Sequence, residues 1–484
     1  MKSFQNFING RFREPAEGDY LDVFEPATGK AYGKVSNSSV TDLEEAIKAA
    51  RSAQPQWANM GQERSKILFE IGRLIAMNQS ELAMAESVDT GKPVDLCHRL
   101  DIPRSAQNFH FFASCLNSYG SSAYPSRRSI NYTDRVPLGI IASISPWNLP
   151  LYLLTWKLAP ALAFGNAVIA KPSEVTPATA HLLAELCQQA GLPPGVLAIL
   201  HGTGHPIGQA IVEHQAVSGI SFTGSTETGR KLAALAAPKF KKISLEMGGK
   251  NPIIIFADCD ITEAVTTTLR SSFLNQGQIC LCGSRIYVER SIFYEFQEKF
   301  VALTKTLEPS DPLKEGTWQG AIVSQQQFDK VLHYIELAKN EGGELLAGGQ
   351  AVTLSGRCEK GWFVQPTIFS GLPDKALLNQ HEVFGPVVTL MPFDDEEEVV
   401  HRANGTRYGL SATIWTQNLP RAHRLAKKID AGVIWVNTWL ERDLRTPFGG
   451  MKDSGLGREG GEEAFRFFTE PKNICIQFDD GAYS

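Results

Sequence analysis

One cysteine, one glutamate and one asparagine stand in this chain at positions that could support covalent chemistry. Cys280 closes the stretch Phe273-Leu274-Asn275-Gln276-Gly277-Gln278-Ile279-Cys280, with Arg285 five residues on, and Glu246 lies upstream in Leu245-Glu246-Met247-Gly248-Gly249-Lys250. A thiolate is a covalent nucleophile, and a carboxylate close to it can activate the water that later releases the product. Each residue also has a plain structural reading. A free cysteine is more often buried and inert, Glu246 could cap the Gly-Gly turn, and Asn148 in Pro146-Trp147-Asn148 could be a turn residue before Pro150. Cys282 makes a C-x-C pair with Cys280, too close for a C-x-x-C redox motif, and reads as a pocket-lining spectator. No His/Cys cluster has metal-ligand spacing, so no metal is expected.

The elements that must position these residues follow an α/β rhythm. Thr41 to Ala53 has helical spacing and is expected to stop at Pro55; Ser65 to Thr90 reads as one long amphipathic helix ending at Gly91. Apolar runs at Gly139 to Ser143 and Ala167 to Ala170 flank a helical stretch at Leu154 to Phe164, the pattern of a parallel sheet. The rhythm continues through Thr179 to Ala190, Val196 to Leu200, Ile207 to His214 and Gly219 to Phe222. A second α/β unit starts after Lys250, with strands at Pro252 to Phe256, Arg285 to Val288, Val387 to Met391 and Gly432 to Asn437. The acidic run Asp394 to Glu398 opens a helix, where carboxylates complement the dipole. The whole reads as a doubly wound α/β protein with two lobes.

At 484 residues the chain exceeds one ordinary core, so two or three subdomains are expected. A net charge of −5 gives no electrostatic case for nucleic acid or an anionic membrane. Eight cysteines without an even spacing pattern do not form a disulfide framework, so a reducing, cytoplasmic setting is the simpler expectation. Met1 to Arg13 has no continuous apolar region of the signal-peptide kind. Gly139 to Ala170, the most apolar region, is broken by Pro146, Asn148, Pro150, Lys157 and Pro160, which argues against a membrane span.

Phe222-Thr223-Gly224-Ser225-Thr226-Glu227-Thr228-Gly229 runs from a strand into a helix, where glycines let a pyrophosphate approach a helix N-terminus. Thr226 stands where the middle glycine of G-x-G-x-x-G would be, so alone this is as well read as a plain strand-to-helix turn. Together with Asn275-x-Gly277-Gln278-x-Cys280, Glu246, Asn148 and Lys171-Pro172-Ser173-Glu174, the chain resembles the NAD(P)-dependent aldehyde dehydrogenase superfamily over essentially its whole length. The resemblance implies a Rossmann-type cofactor domain (residues 1–115 and 137–247), an α/β catalytic domain (248–450) and a small β oligomerisation element (116–136 and 467–484). It implies a homodimer or homotetramer. It makes Cys280 the nucleophile, Asn148 and the Cys280 N–H the oxyanion donors, and Glu246 the base for thioester hydrolysis. That base favours release of a free acid over transfer to coenzyme A. The resemblance also gives Lys171 and Glu174 to the adenosine ribose, Gly224, Ser225 and Gly229 to the pyrophosphate turn, Glu382 to the nicotinamide ribose, and Phe384 and Trp147 to the nicotinamide side. A carboxylate at Glu174 repels a 2′-phosphate, so NAD is expected as cofactor; the plain alternative is an exposed Lys–Glu pair. His381 stands where an acidic residue is common before Glu382.

The substrate walls carry arginines. Asp101-Ile102-Pro103-Arg104 precedes the helix the family uses for one wall, and Trp439-Leu440-Glu441-Arg442-Asp443-Leu444-Arg445 precedes Pro447-Phe448 on the other. A guanidinium fork matches a carboxylate, so two of them suggest a substrate with an aldehyde at one end and an acid at the other. These patterns, with Pro146 to Lys157, look like the 2-aminomuconic and 2-hydroxymuconic semialdehyde dehydrogenase subgroup. That likeness implies Arg104 and Arg442 on the carboxylate, Trp156 and Phe448 along the conjugated chain, and Arg445 as a helper. The alternative has the arginines in salt bridges with Asp101, Glu441 or Asp443. A broader dehydrogenase for amino or betaine aldehydes fits the arginines poorly, and a noncatalytic paralogue predicts damage to Cys280, Glu246 or Asn148, which is not seen.

Overall fold

Short apolar runs bounded by turn residues become the strands of two large sheets in the computed structural model, which describes residues 1–116 and 118–478. The first has eight strands in the order Gly455–Leu456, Lys242–Glu246, Val217–Thr223, Ile140–Ile144, Ala167–Lys171, Leu197–Ile199, Asn6–Ile8, Arg11–Arg13. Its five central strands are parallel. Chain order reverses beside Ile140–Ile144, because the next two parallel strands in sequence lie on one side of it and the later two on the other. Ligand crevices form at such a switch point, at the carboxyl ends of the strands.

The second sheet has seven strands, in the order Glu344–Ala347, Thr367–Ser370, Val387–Phe393, Gly283–Glu289, Asn251–Ile255, Ser411–Trp415, Val433–Val436. The sequence reading missed Ser411–Trp415, which is fully buried and lies between two of the strands it did find. The chain then returns to the first lobe: Gly455–Leu456 extends the first sheet beside Lys242–Glu246, and the helix Gly461–Phe468 packs against the helix Pro150–Ala163. The fold class is the expected one. Thr469–Gln477 pairs antiparallel with Ser129–Pro137 along its whole length, in a three-stranded sheet with Ala123–Pro125. Asn117 and residues 479–484 of the segments expected to form this element lie outside the described residues. No helix among the described residues is long and apolar enough to cross a membrane.

Two helix boundaries differ from expectation. The first helix runs Val40–Asn59, through Pro55. Tertiary bonds hold its last turn: the buried Trp57 indole donates to the Leu162 carbonyl at 3.0 Å, and Arg64 donates to the carbonyls of Trp57 and Ala58 at 3.0 and 2.8 Å. The long helix expected over 65–90 is two, Gln62–Met77 and Gln79–Thr90, broken at Asn78. There the side-chain amide donates to the Leu74 carbonyl at 2.8 Å, competing with the helical pattern. The second of these helices ends at Gly91 in the left-handed region, as expected.

Behind the cysteine site a charged group is sealed in the core. Lys92 is fully buried, 3.0 Å from Asp101 and 3.5 Å from Glu86. Glu86 also accepts the N–H of Leu151 at the start of the helix Pro150–Ala163, while Asp101 precedes the helix Ile102–Cys115. One ammonium thus ties together the two helices that carry Tyr152, Trp156 and Arg104. Lys92→Met would leave two buried carboxylates uncompensated, so we expect a loss of about 3–5 kcal/mol in denaturant unfolding; an unchanged midpoint would refute it.

Candidate active site

Cys280 sits in a strained turn just ahead of the strand Gly283–Glu289. Asn275, Gln276 and Gly277 have φ of 52°, 55° and 68°, three left-handed residues in succession, a conformation kept only where the surroundings enforce it. A Cβ at Gly277 would lie 2.3 Å from the Gly385 carbonyl oxygen, so glycine is required there on two counts. The turn is held from several sides. Asn251 donates to the carbonyls of Cys280 and Cys282 at 2.7 and 2.9 Å, Trp439 donates to Leu281 at 3.0 Å, and the Asn275 amide donates to the Asn148 carbonyl at 3.1 Å. Arg285 does no chemistry: it is buried and donates to Lys250, Arg402 and Ala403 carbonyls, clamping the strand that follows.

Asn148 leaves the central strand Ile140–Ile144 and its amide nitrogen donates to the Gln278 carbonyl at 2.9 Å. That bond uses one of the two amide hydrogens; the other is available beside Cys280. Glu246 is the last residue of Lys242–Glu246. Its carbonyl accepts the Gly224 N–H, and its neighbour Met247 donates to Ser454, while both carboxylate oxygens are buried without a partner.

Cys280 lines several cavities, two of which gather the candidate site residues. One, with about 680 Å³ of space, is lined by Pro146, Trp147, Asn148, Gly224, Ser225, Gly248, Glu382 and Phe384 as well as Cys280. Pro146, Trp147, Asn148, Gly224 and Ser225 come from the carboxyl ends of Ile140–Ile144 and Val217–Thr223, the two strands flanking the switch point, while Glu382, Phe384 and Cys280 precede strands of the second sheet. Ser225 caps the helix Thr226–Ala236, accepting the Thr228 N–H at 3.2 Å. Gly224 spends its N–H on Glu246, so the first turn of the helix is what is left to meet an anion. Gly229 lies on this helix against Met247, whose sulfur would be 2.2 Å from an added Cβ. Trp147 and Phe384 meet edge to face, centroids 5.2 Å apart. Phe384 has φ 59°, and Gln327, which the sequence did not flag, donates to the carbonyls of Val383 and Phe384 at 3.0 and 2.8 Å. Glu382 accepts the Gly249 N–H at 2.9 Å. Lys171 and Glu174 pair at 3.1 Å beyond the end of Ala167–Lys171, one strand over and outside the lining of this cavity. A ring beside Trp147 and Phe384, a hydroxyl-bearing group at Glu382 and an anion at the first helix turn fit this lining.

The other cavity, about 710 Å³, is lined by Arg104, Tyr152, Trp156, Glu246, Cys280, Arg442, Phe448 and Glu459 among others. Arg442 lies over Phe448 at 3.8 Å and Trp156 at 5.4 Å from the ring centroids, and it donates to the Tyr152 hydroxyl at 3.2 Å. Among the described residues neither Arg104 nor Arg442 is within ion-pairing distance of a carboxylate. Asp101 is committed to Lys92, and Asp443 to Arg445, which is exposed and outside the cavity lining.

The electrostatics explain why these groups need one another. Burial, with the charges of Glu382 and Glu246, pushes the Cys280 thiol up to about 12, and Arg442 pulls the other way. Burial and the second carboxylate of Glu459 hold Glu246 well above the usual carboxylate range, opposed by Lys157, Arg458 and Arg442. Glu459 accepts from Lys157 at 2.7 Å and from Ser221 at 3.2 Å. Sequence reasoning missed this pair, since Lys157 read as a break in an apolar run and part of a motif, without a partner, and Glu459 lies 302 residues from it.

The chain belongs to the aldehyde dehydrogenase family: the family model matches residues 12–474. It is an oxidoreductase of that class. It is 48% identical to the 2-aminomuconic semialdehyde dehydrogenase of Danio rerio, covering 98% of each chain. It is 44% identical to the 2-hydroxymuconic semialdehyde dehydrogenase of Pseudomonas sp. (strain CF600), covering 99% of this chain and all of that one. Among solved structures, an indole-3-acetaldehyde dehydrogenase complexed with NAD+ matches with a TM-score of 0.96 at 37% identity, over 98% of this chain and 96% of that one.

Two outcomes follow for a neutral aldehyde, whose binding does not involve the arginines. Its kcat/KM should rise with pH as the thiol ionises. Arg442→Ala, by removing a positive charge that favours both anions, should move that rising limb to higher pH, with Arg442→Lys restoring it; an unmoved limb would refute the charge argument. Asn148→Ala should cost roughly 10²–10³ in kcat, the worth of one oxyanion donor.

Proposed function

We propose that this enzyme oxidises an unsaturated acidic semialdehyde of the 2-aminomuconic or 2-hydroxymuconic type to the corresponding acid, with NAD as cofactor. One observation carries the substrate class: two guanidinium groups, Arg104 and Arg442, line the cysteine cavity and among the described residues neither makes an ion pair, the carboxylates that feel them being Asp443 for Arg104 and Glu246 for Arg442. Buried or half-buried arginines without an anionic partner are costly, and a substrate carboxylate supplies what they lack. Names of whole-length relatives point to the same substrates.

In this reading the Cys280 sulfur attacks the aldehyde carbon, and the oxyanion of the thiohemiacetal is met by the free amide hydrogen of Asn148 and the Cys280 N–H. Trp147, Phe384, Glu382, Ser225 and the first turn of Thr226–Ala236 would hold the dinucleotide, with Gly224 and Gly229 allowing its approach and Lys171 and Glu174 reaching the adenosine end. Bound there, NAD supplies a hydride acceptor. Glu246 then takes a proton from water as it attacks the thioester, releasing the acid and restoring the thiol. Trp156 and Phe448 enclose the conjugated chain. Residues 1–115 and 137–247, joined by the returning segment after 450, form the cofactor lobe, and 248–450 the catalytic lobe. The exposed edge of Thr469–Gln477 serves assembly into a homodimer or homotetramer.

The test is NAD-dependent turnover of 2-hydroxymuconic semialdehyde, followed by loss of its visible absorbance. Arg442→Ala should raise KM by roughly 10- to 100-fold, about 1.5–3 kcal/mol for hydrogen bonds to a charged group, without affecting KM for a neutral aldehyde. Equal effects on both substrates would reduce the arginines to structural groups. Cys280→Ala should be inactive on either substrate.

A further inference from the structure

Tyr152 is the side chain that touches both arginines, and neither the motifs nor the mechanism above uses it. It lies one turn into the helix Pro150–Ala163, buried, and lines the cysteine cavity. Its hydroxyl oxygen accepts a hydrogen bond from Arg442 Nη1 at 3.2 Å, and the Arg104 guanidinium carbon sits 5.9 Å from its ring centroid. Among the described residues the phenol's own hydrogen has no acceptor, and the hydroxyl can donate while it accepts.

Its placement is built rather than incidental. Asn108 donates to the Tyr152 carbonyl at 3.2 Å and to Thr155 Oγ1 at 3.0 Å. Asn108 stands four residues after Arg104 on Ile102–Cys115, so the two share one helix face. The face that presents the first arginine therefore also pins the tyrosine main chain. The hydroxyl then fixes the fork of the second arginine, whose flat sides rest on Phe448 and Trp156. Among the described residues no other side chain hydrogen-bonds that fork.

We propose that Tyr152 is a specificity-determining residue: its hydroxyl orients Arg442 and donates the third hydrogen bond to the carboxylate of the substrate. This rests on the acidic-semialdehyde reading and adds a donor to it. A carboxylate offers about four lone-pair sites, so one phenol and two guanidiniums can be accommodated together.

Tyr152→Phe keeps the ring, the packing and the cation–π contact, and deletes only the hydroxyl. With NAD and 2-hydroxymuconic semialdehyde, KM should rise roughly tenfold, the loss of one hydrogen bond to a charged group, with kcat within about twofold. The inhibition constant of adipate, a saturated dicarboxylate that is not turned over, should rise by the same factor, while kcat/KM for hexanal should change far less, because the Arg442 charge stays in the cavity. Arg442→Ala is measured in parallel. If it weakens the acidic substrate while Tyr152→Phe leaves KM and adipate inhibition unchanged, the tyrosine proposal falls and the carboxylate reading stands. If Tyr152→Phe harms hexanal and the acidic substrate equally, the hydroxyl is structural and the proposal also falls. If Arg442→Ala leaves the acidic substrate untouched, the acidic reading fails and takes the tyrosine with it.

Discussion

A thiol and a carboxylate buried at one cavity wall resist ionising together, and much of this structure answers that constraint. Both lose hydration on burial; the thiol is raised further by Glu382 and Glu246, and Glu246 by the neighbouring carboxylate of Glu459. The same dryness is useful, because preorganised donors act more strongly where water is excluded. The compensation comes from positive charge at fixed places: Lys157, Arg458 and Arg442 all oppose the rise at Glu246. Lys157 is itself fully buried and held by Glu459 and Ser221, so its charge is paired before it acts on Glu246. The couple is poised by groups that never touch the reacting carbon.

The fold delivers this arrangement by opposing two sheet edges. Carboxyl ends of the first sheet bring Asn148, Gly224 and Glu246, while the amino ends of the second bring Asn251 and the cysteine turn. Since the halves of the site belong to different lobes, the returning segment after residue 450 has a defined task. It adds Gly455–Leu456 beside Glu246 and carries Glu459 to Lys157. The Ser454 carbonyl accepts the N–H of Met247 and its hydroxyl oxygen accepts the N–H of Gly409, so one short segment is bonded to both lobes.

What was legible in the sequence was whatever is local. Strands such as Ala167–Lys171 and Val387–Phe393 are short apolar runs with turn residues at their ends, and the cysteine turn carries its own glycine. Ser411–Trp415 was missed because its small and polar residues, Ser411, Ala412 and Thr413, hide a fully buried strand. Pro55 misled because its helix end is secured by Trp57 and Arg64 binding distant carbonyls, which no local rule contains. The chemistry divides in the same way. Cys280, Glu246 and Asn148 stand in motifs. Lys157, Glu459, Gln327 and Tyr152 act through partners dozens to hundreds of residues away, and only the folded chain puts those partners together.

The presence of two arginines, where one would recognise a carboxylate, has an electrostatic reason. Arg442 favours both the thiolate of Cys280 and the carboxylate of Glu246. A single arginine neutralised by the acid end of a substrate would withdraw that support at the moment the nucleophile is needed. With Arg104 across the same cavity, one bound carboxylate leaves the clamp one positive charge in excess. Tyr152 between them is neutral, so it can order the fork without spending that excess. On the proposed function, recognition of the acid end and activation of the sulfur draw on the same charges, and a cavity holding only one guanidinium would have to trade one against the other.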